Sequence, residues 1–150
     1  MERKALIVLV AAVVAAVAAG SILLLGGPAL EVHDVSVRAG TGSLAVFLTI
    51  HNHGLLGDCL VNVKVLHPEG LRAELHRTVM DAGGVMRMER VDKICVGGLG
   101  EVKLAGLEEG GLHIMVVGGD EDVHEVMLEL VFESGRTITV KSGVGGDHSH

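Results

Sequence analysis

Residues 126–133, VMLELVFE, set Val126, Leu128, Leu130 and Phe132 on one side of an extended chain and Met127, Glu129, Val131 and Glu133 on the other. A period of two is that of a half-buried β-strand. The pattern recurs upstream: Leu44, Val46, Leu48 and Ile50 alternate through one run, Val61, Val63 and Val65 through another, and Val32, Val35 and Val37 open the first. Turn-forming residues separate the runs, at Ala39-Gly40-Thr41-Gly42, Asn52-His53-Gly54, Pro68-Glu69-Gly70, Asp81-Ala82-Gly83-Gly84 and Ser134-Gly135. No stretch beyond the N-terminal segment keeps a long helical period. Short strands at this spacing predict an all-β domain, an antiparallel β-sandwich.

Ahead of that domain stands a different kind of sequence. Residues 5–25, ALIVLVAAVVAAVAAGSILLL, are apolar without a break and follow Arg3 and Lys4. As a helix the run would extend roughly 31 Å, which matches a hydrocarbon core of about 30 Å. A cleavable signal has a shorter apolar region and a small-residue cleavage site. Small residues do occur around Ala16 to Ser21, but Ile22 to Leu25 continue the run, so one retained transmembrane helix is the preferred reading. Basic residues before it predict a cytoplasmic N-terminus and a single-pass cell-membrane protein whose domain lies on the extracytoplasmic side. Gly26, Gly27 and Pro28 end the helix. The expected divisions are an anchor or uncleaved signal over 1–27, the sandwich over 28–141, and a flexible Gly/His tail over 142–150.

Composition removes several classes of function. The chain of 150 residues carries a formal charge of −7, which repels phosphate backbones and excludes a nucleic-acid partner. There is no Trp or Tyr, and Phe47 and Phe132 are the only aromatic residues of the Phe, Trp and Tyr class, so stacking platforms for bases or sugars are missing. His124-Glu125 lacks the second histidine of an HExxH zinc motif, no GxSxG elbow occurs, and Gly97-Gly98-Leu99-Gly100 is not followed by the Lys and Ser/Thr of a phosphate loop. The expectation is a non-enzyme. Cys59 and Cys95 have no CxxC spacing; they form either one disulfide or two separate buried thiols.

The soft donors are concentrated between His76 and Met115. In the triplet His113-Ile114-Met115, residues two apart share a strand face, so His113 and Met115 point one way while Ile114 faces the core. Met86 and Met88 stand in the same relation, with Arg87 opposite. Imidazole and thioether together form a soft site without permanent negative charge, which suits Cu(I) better than Zn(II), Mg(II) or Ca(II). The plain alternative is that the methionines fill core gaps and the histidines are ordinary surface residues. Spacing alone does not choose between these.

The segment ELHRTVMDAGGVMRM, followed by GGLHIMVVG, resembles the metal-binding signature of the periplasmic copper chaperones called PCuAC: a histidine, a methionine about eleven positions later, and a distal HxM. AVFLTIHNHGLLGDCL is similar to that family's early strand with its Asn-x-Gly and Asp-x-Leu turn, and LELVFESGRTITVK to its closing hairpin. The resemblance runs from about Glu31 to Lys141. It implies a cupredoxin-like sandwich that binds Cu(I) and passes it to a copper-accepting protein, a cytochrome oxidase subunit with its Cu(A) centre or an assembly factor. Position by position it makes His76, Met88, His113 and Met115 the metal ligands. The intervals between them are slightly longer than the family's usual ones, which leaves Met86 as an alternative to Met88.

Other histidines carry weaker expectations. His51 and His53 could share a strand face and bind a further metal, though His51 ending a strand and Asn52-His53-Gly54 making a turn is the simpler account. His33, His67 and His124 are expected to be surface residues, and His148 and His150 solvated tail residues with some capacity to reach a metal. A blue-copper electron-transfer protein would need a cysteine grouped with histidine and methionine, and neither cysteine has a His-then-Met run closely after it. The alternative from another class is a membrane-anchored β-sandwich that binds a protein partner without metal.

Overall fold

The alternating runs become strands in the computed structural model, which describes residues 27–106, 110–118 and 122–145 together with Arg3, Lys4, Ile7 and Val8. Ten strands follow one another among the described residues: β1 (Leu30–Ala39), β2 (Ser43–Asn52), β3 (Asp58–His67), β4 (Arg72–Met80), β5 (Met86–Arg90), β6 (Ile94–Val96), β7 (Glu101–Leu104), β8 (Leu112–Val117), β9 (Glu125–Phe132) and β10 (Thr137–Gly143). The larger sheet has the order β1-β2-β8-β4-β5, and the smaller β10-β9-β3-β6. β2 serves two partners along one edge: Ser43 to Val46 pair with β8, and Leu48 to His51 with β7. Every strand pair is antiparallel.

The sheets pack over one apolar layer. From the larger sheet Leu44, Val46, Leu48, Ile50, Leu75, Leu104, Ile114 and Val116 point inward, and from the smaller Leu60, Val63, Val126, Leu128, Leu130 and Phe132 meet them, each at most 5 % exposed. The alternation predicted for β2 and β9 therefore holds residue by residue. In β1 the odd step from Val32 to Val35 is taken up by a register shift between His33 and Ser36, where Asp34 adopts φ 55°. In β3 the expectation fails at one residue. A shift between Leu60 and Asn62 inserts one residue, so Leu60 and Val63 turn inward and Val61 is left 37 % exposed.

Two side chains that resemblance marked as turn residues hold one end of the sandwich together. Asn52, fully buried, accepts from the Ala29 and Gly54 amides and donates to the Leu56 and Gly97 carbonyls at 2.8–3.1 Å. Asp58 accepts from the Cys59 and Ser134 amides and from the Ser134 hydroxyl, joining β3 to the β9–β10 turn. Cys59 and Cys95 face each other across β3 and β6 and form a disulfide, which decides between the two alternatives. β10 runs to Gly143, and Val144 bridges Val37, so the ladder extends past residue 141.

The expected membrane helix over residues 5–25 lies outside the described residues except at Ile7 and Val8, and His148 and His150 lie outside them as well. No helix among the described residues is long and apolar enough to cross a membrane.

Candidate metal centre

The site is set by the register of three adjacent strands, β8, β4 and β5. His113 of β8 stands opposite His76 of β4, and His76 opposite Arg90 of β5, with no register shift in either pairing. Directly opposed residues share a face, as do residues two apart along a strand. Met115, two beyond His113, opposes Glu74; Met88, two before Arg90, opposes Thr78. All four sequence-predicted ligands therefore lie on one face, the one turned away from the smaller sheet, since Leu75 and Ile114 between them point into the core. His76 is central, with His113 beside it and Met88 and Met115 on its two diagonals. Met86 opposes Met80, one pair further from His76 than Met88.

The imidazoles are the inner part of the site. His113 is fully buried, its ring centroid 5.6 Å from that of His76 in an edge-on arrangement and 6.4 Å from Phe47 of β2. The His76 side chain is 14 % exposed. Met88, at the edge, is 47 % exposed. Beside Thr78 the Gly110 amide donates to the Thr78 carbonyl and the Thr78 amide to the Gly111 carbonyl, and Gly111 lies so near Gly106 that an added Cβ would come within 2.6 Å of its carbonyl oxygen.

Three imidazole nitrogens in this pocket are buried without a hydrogen-bond partner: Nδ1 of His76 and both nitrogens of His113. The Thr78 hydroxyl is a fourth such group. Buried polar atoms are nearly always paired, because leaving one unpaired costs roughly 1–3 kcal/mol. Burial holds the His113 imidazole below its ordinary pKa, and repulsion from His76, when that ring is protonated, pushes it the same way; the Gly106 backbone, near the ring but outside hydrogen-bond geometry, opposes them. His113 is thus kept neutral, the form that donates a lone pair to a metal.

Glu74 was not singled out in the sequence, although it precedes His76 by two and so shares its face. Its Oε2 lies 2.9 Å from Nε2 of His76. That hydrogen bond, more than the nearby Arg72 and Arg90, holds the Glu74 carboxyl below the ordinary carboxylate range, against the opposing effect of burial. An ionised carboxylate only accepts, so Nε2 carries a proton towards Glu74, and in the uncharged ring Nδ1 is the nitrogen left with a lone pair.

Three other histidines gather at the far end of the same sheet. His51 and His53 stack at 4.2 Å, His53 and His33 contact Glu31 at 2.7 and 3.4 Å, and His51 contacts Glu101 at 3.3 Å. His33 therefore has a partner two residues before it on β1, at a spacing that places both on one face. No three His, Cys, Asp or Glu side chains among the described residues converge on a metal position. The His51–His53 pair sits in a surface cluster of polar contacts with Glu31 and Glu101.

Three solved domains share this architecture. The apo PCuAC domain from PmoF1 matches at 21 % identity, covering 79 % of this chain and 94 % of that one with a TM-score of 0.60. The copper-bound PCuAC domain from PmoF2 matches at 21 % identity over 79 % and 93 % with a TM-score of 0.59, and the apo form of the PmoF2 domain at 21 % over 81 % and 96 % with 0.57. No curated protein gives a significant match. At this identity the likeness establishes the fold, and the cupredoxin-like sandwich expected from the sequence is the one observed. The LpqE-like family, described as lipoproteins, matches residues 30–144, which is the whole of the two-sheet domain, and the chain belongs to that family.

Proposed function

We propose that the domain is an extracytoplasmic Cu(I) carrier, with copper as cargo held by His76, His113, Met88 and Met115. The observation that carries this reading is the in-register histidine pair with three buried, unpartnered ring nitrogens, flanked on the same face by two thioethers. The donor set fits a soft monovalent ion: neutral imidazole and thioether without carboxylate. The copper that a PmoF2 domain of the same fold is described as binding supports it. Met88 is preferred to Met86 because it sits diagonal to His76 while Met86 is a pair further out. The non-metal alternative, a protein-binding sandwich, gives no account of the unpartnered nitrogens.

In this reading His76 and His113 hold the ion inside while the exposed Met88 gives an incoming ligand its point of attack. Release is a ligand exchange: one donor arrives as another leaves, and no electron moves. The recipient is a copper-accepting protein such as the Cu(A) subunit of cytochrome oxidase. The apolar run over 5–25 is the anchor. Anaerobic Cu(I) titration against a chromophoric chelator is the test. One tightly held equivalent, lost in His113→Leu and weakened in Met88→Leu more than in Met86→Leu, is expected; absence of binding by the unaltered chain overturns the reading.

A further inference from the structure

Four of the chain's six methionines, Met80, Met86, Met88 and Met115, lie on one face of one sheet, and the proposed cargo site uses two of them. Met80 and Met86 are left over. They oppose each other directly across the β4–β5 hairpin and lie on the face that carries His76, because Met80 is four residues along β4 from it and Met86 four residues along β5 from its partner Arg90. Neither fills the core. Met80 is 46 % and Met86 42 % exposed, every residue of β5 is exposed, and Val85 at the turn is 58 % exposed. Apolar side chains in a surface hairpin gain little from burial, so packing does not account for two unbranched thioethers here.

We propose that Met80 and Met86 form an outer, weaker Cu(I) site at the tip of the β4–β5 hairpin, through which the ion enters and leaves the His76–His113 centre. This rests on the copper-carrier reading above. Directly opposed strand residues have Cβ atoms about 4.5–5.5 Å apart, a gap that two flexible thioether arms can close around one ion. A soft monovalent ion accepts two such donors, and neutral sulfur adds no charge to hold it tightly. Met88 lies on the same face, one residue pair inward from Met86 and diagonal to His76. The thioethers thus form a continuous row from the exposed tip to the buried imidazoles. Each transfer replaces one thioether by the next, with the ion remaining Cu(I) throughout. The Asp81 carboxylate, which accepts from the Gly83 and Val85 amides, fixes the turn that sets this register.

Silver(I), a redox-inert stand-in for Cu(I), provides the test on the purified full chain, with the methionine methyl groups followed by NMR. The expected result is two successive equivalents. The first shifts Met88 and Met115 together with the His76 and His113 rings; the second, weaker one shifts Met80 and Met86. Met80→Leu/Met86→Leu, which keeps exposed side chains of similar size, is expected to lose the second equivalent only and to slow Cu(I) transfer to a chelator. A single equivalent in the unaltered chain, unchanged transfer in the double variant, or loss of both equivalents in that variant would each overturn the outer site. The last result would make Met86 an inner ligand. Failure of the unaltered chain to bind any Ag(I) or Cu(I) would instead remove the carrier reading itself, and the outer site with it.

Discussion

Replacing His113 by leucine is expected to make the metal-free protein more stable while abolishing its response to copper. The ring is fully buried beside Phe47 and His76, and neither nitrogen has a hydrogen-bond partner. One nitrogen of a neutral imidazole is a donor and the other an acceptor, and each left unpaired costs about 1–3 kcal/mol. Leucine removes both penalties and substitutes apolar volume of similar size; imperfect fit returns part of the gain, so a net of about 1–3 kcal/mol remains. For a domain of this size that corresponds to a rise of about 4–12 °C in melting temperature. Calorimetric melts of the apo chain at pH 7.5 read it directly.

The copper arm runs the other way. A ligand that binds only the folded state stabilises it by about 2.7 kcal/mol at one hundred times its Kd. The unaltered chain should gain stability of this order under anaerobic Cu(I), and His113→Leu should gain nothing. A variant that melts below the unaltered apo chain would refute the claim that His113 is an unsatisfied group. A retained copper shift would refute its assignment as a ligand.

The apo chain should also lose stability on acidification through a route that His113 creates. Its folded pKa is depressed by burial, so the stability it contributes is present above the unfolded value of about 6.5 and is lost as pH falls below it, towards the folded value. Melts between pH 7.5 and 5 should show this slope in the unaltered chain and a shallower one in His113→Leu. Glu74→Ala removes the acceptor that fixes the His76 tautomer; Cu(I) affinity should fall by about 10–100-fold, as for other partners of metal-bound histidines, while the distant disulfide remains formed. Cys59→Ala/Cys95→Ala opens a loop with a sequence separation of 36, which by chain entropy costs about 3–4 kcal/mol in denaturant titration without displacing the first copper equivalent.

What could be read from the sequence was whatever depends on one strand at a time. β2 and β9 alternate without interruption, so their inward residues were legible singly. In β3 the extra residue between Leu60 and Asn62 inverts the alternation, and a bulge has no mark in a run of valines. The disulfide depends on β6, three residues long, too short to show a period. The pairing of His76 with His113 is likewise non-local: each could be assigned a face from its own neighbours, but their meeting requires β4 and β8, with three strands between them in sequence, to lie side by side. Glu74, a hard carboxylate, carries no signal for a soft-metal site, although its spacing from His76 already placed both on one face.

Period two also explains how one sheet can hold a strong core and a labile site together. In β8, Ile114 and Val116 are fully buried towards the smaller sheet while His113 and Met115 face the other way, and in β4 Leu75 turns inward between Glu74 and His76. The fold's stability is drawn from residues that the proposed site does not use. The site can then carry groups that a core would reject: a buried histidine without partners, and methionines left open to water. In the carrier reading the unpartnered nitrogens raise the free energy of the empty site, so binding relieves a cost already present in the apo fold. The neutral sulfurs at the rim work in the opposite sense, limiting the hold on the ion and leaving it open to exchange. Buried imidazoles to capture and exposed thioethers to release therefore lie in sequence across one sheet face, from β8 through β4 to the edge strand β5.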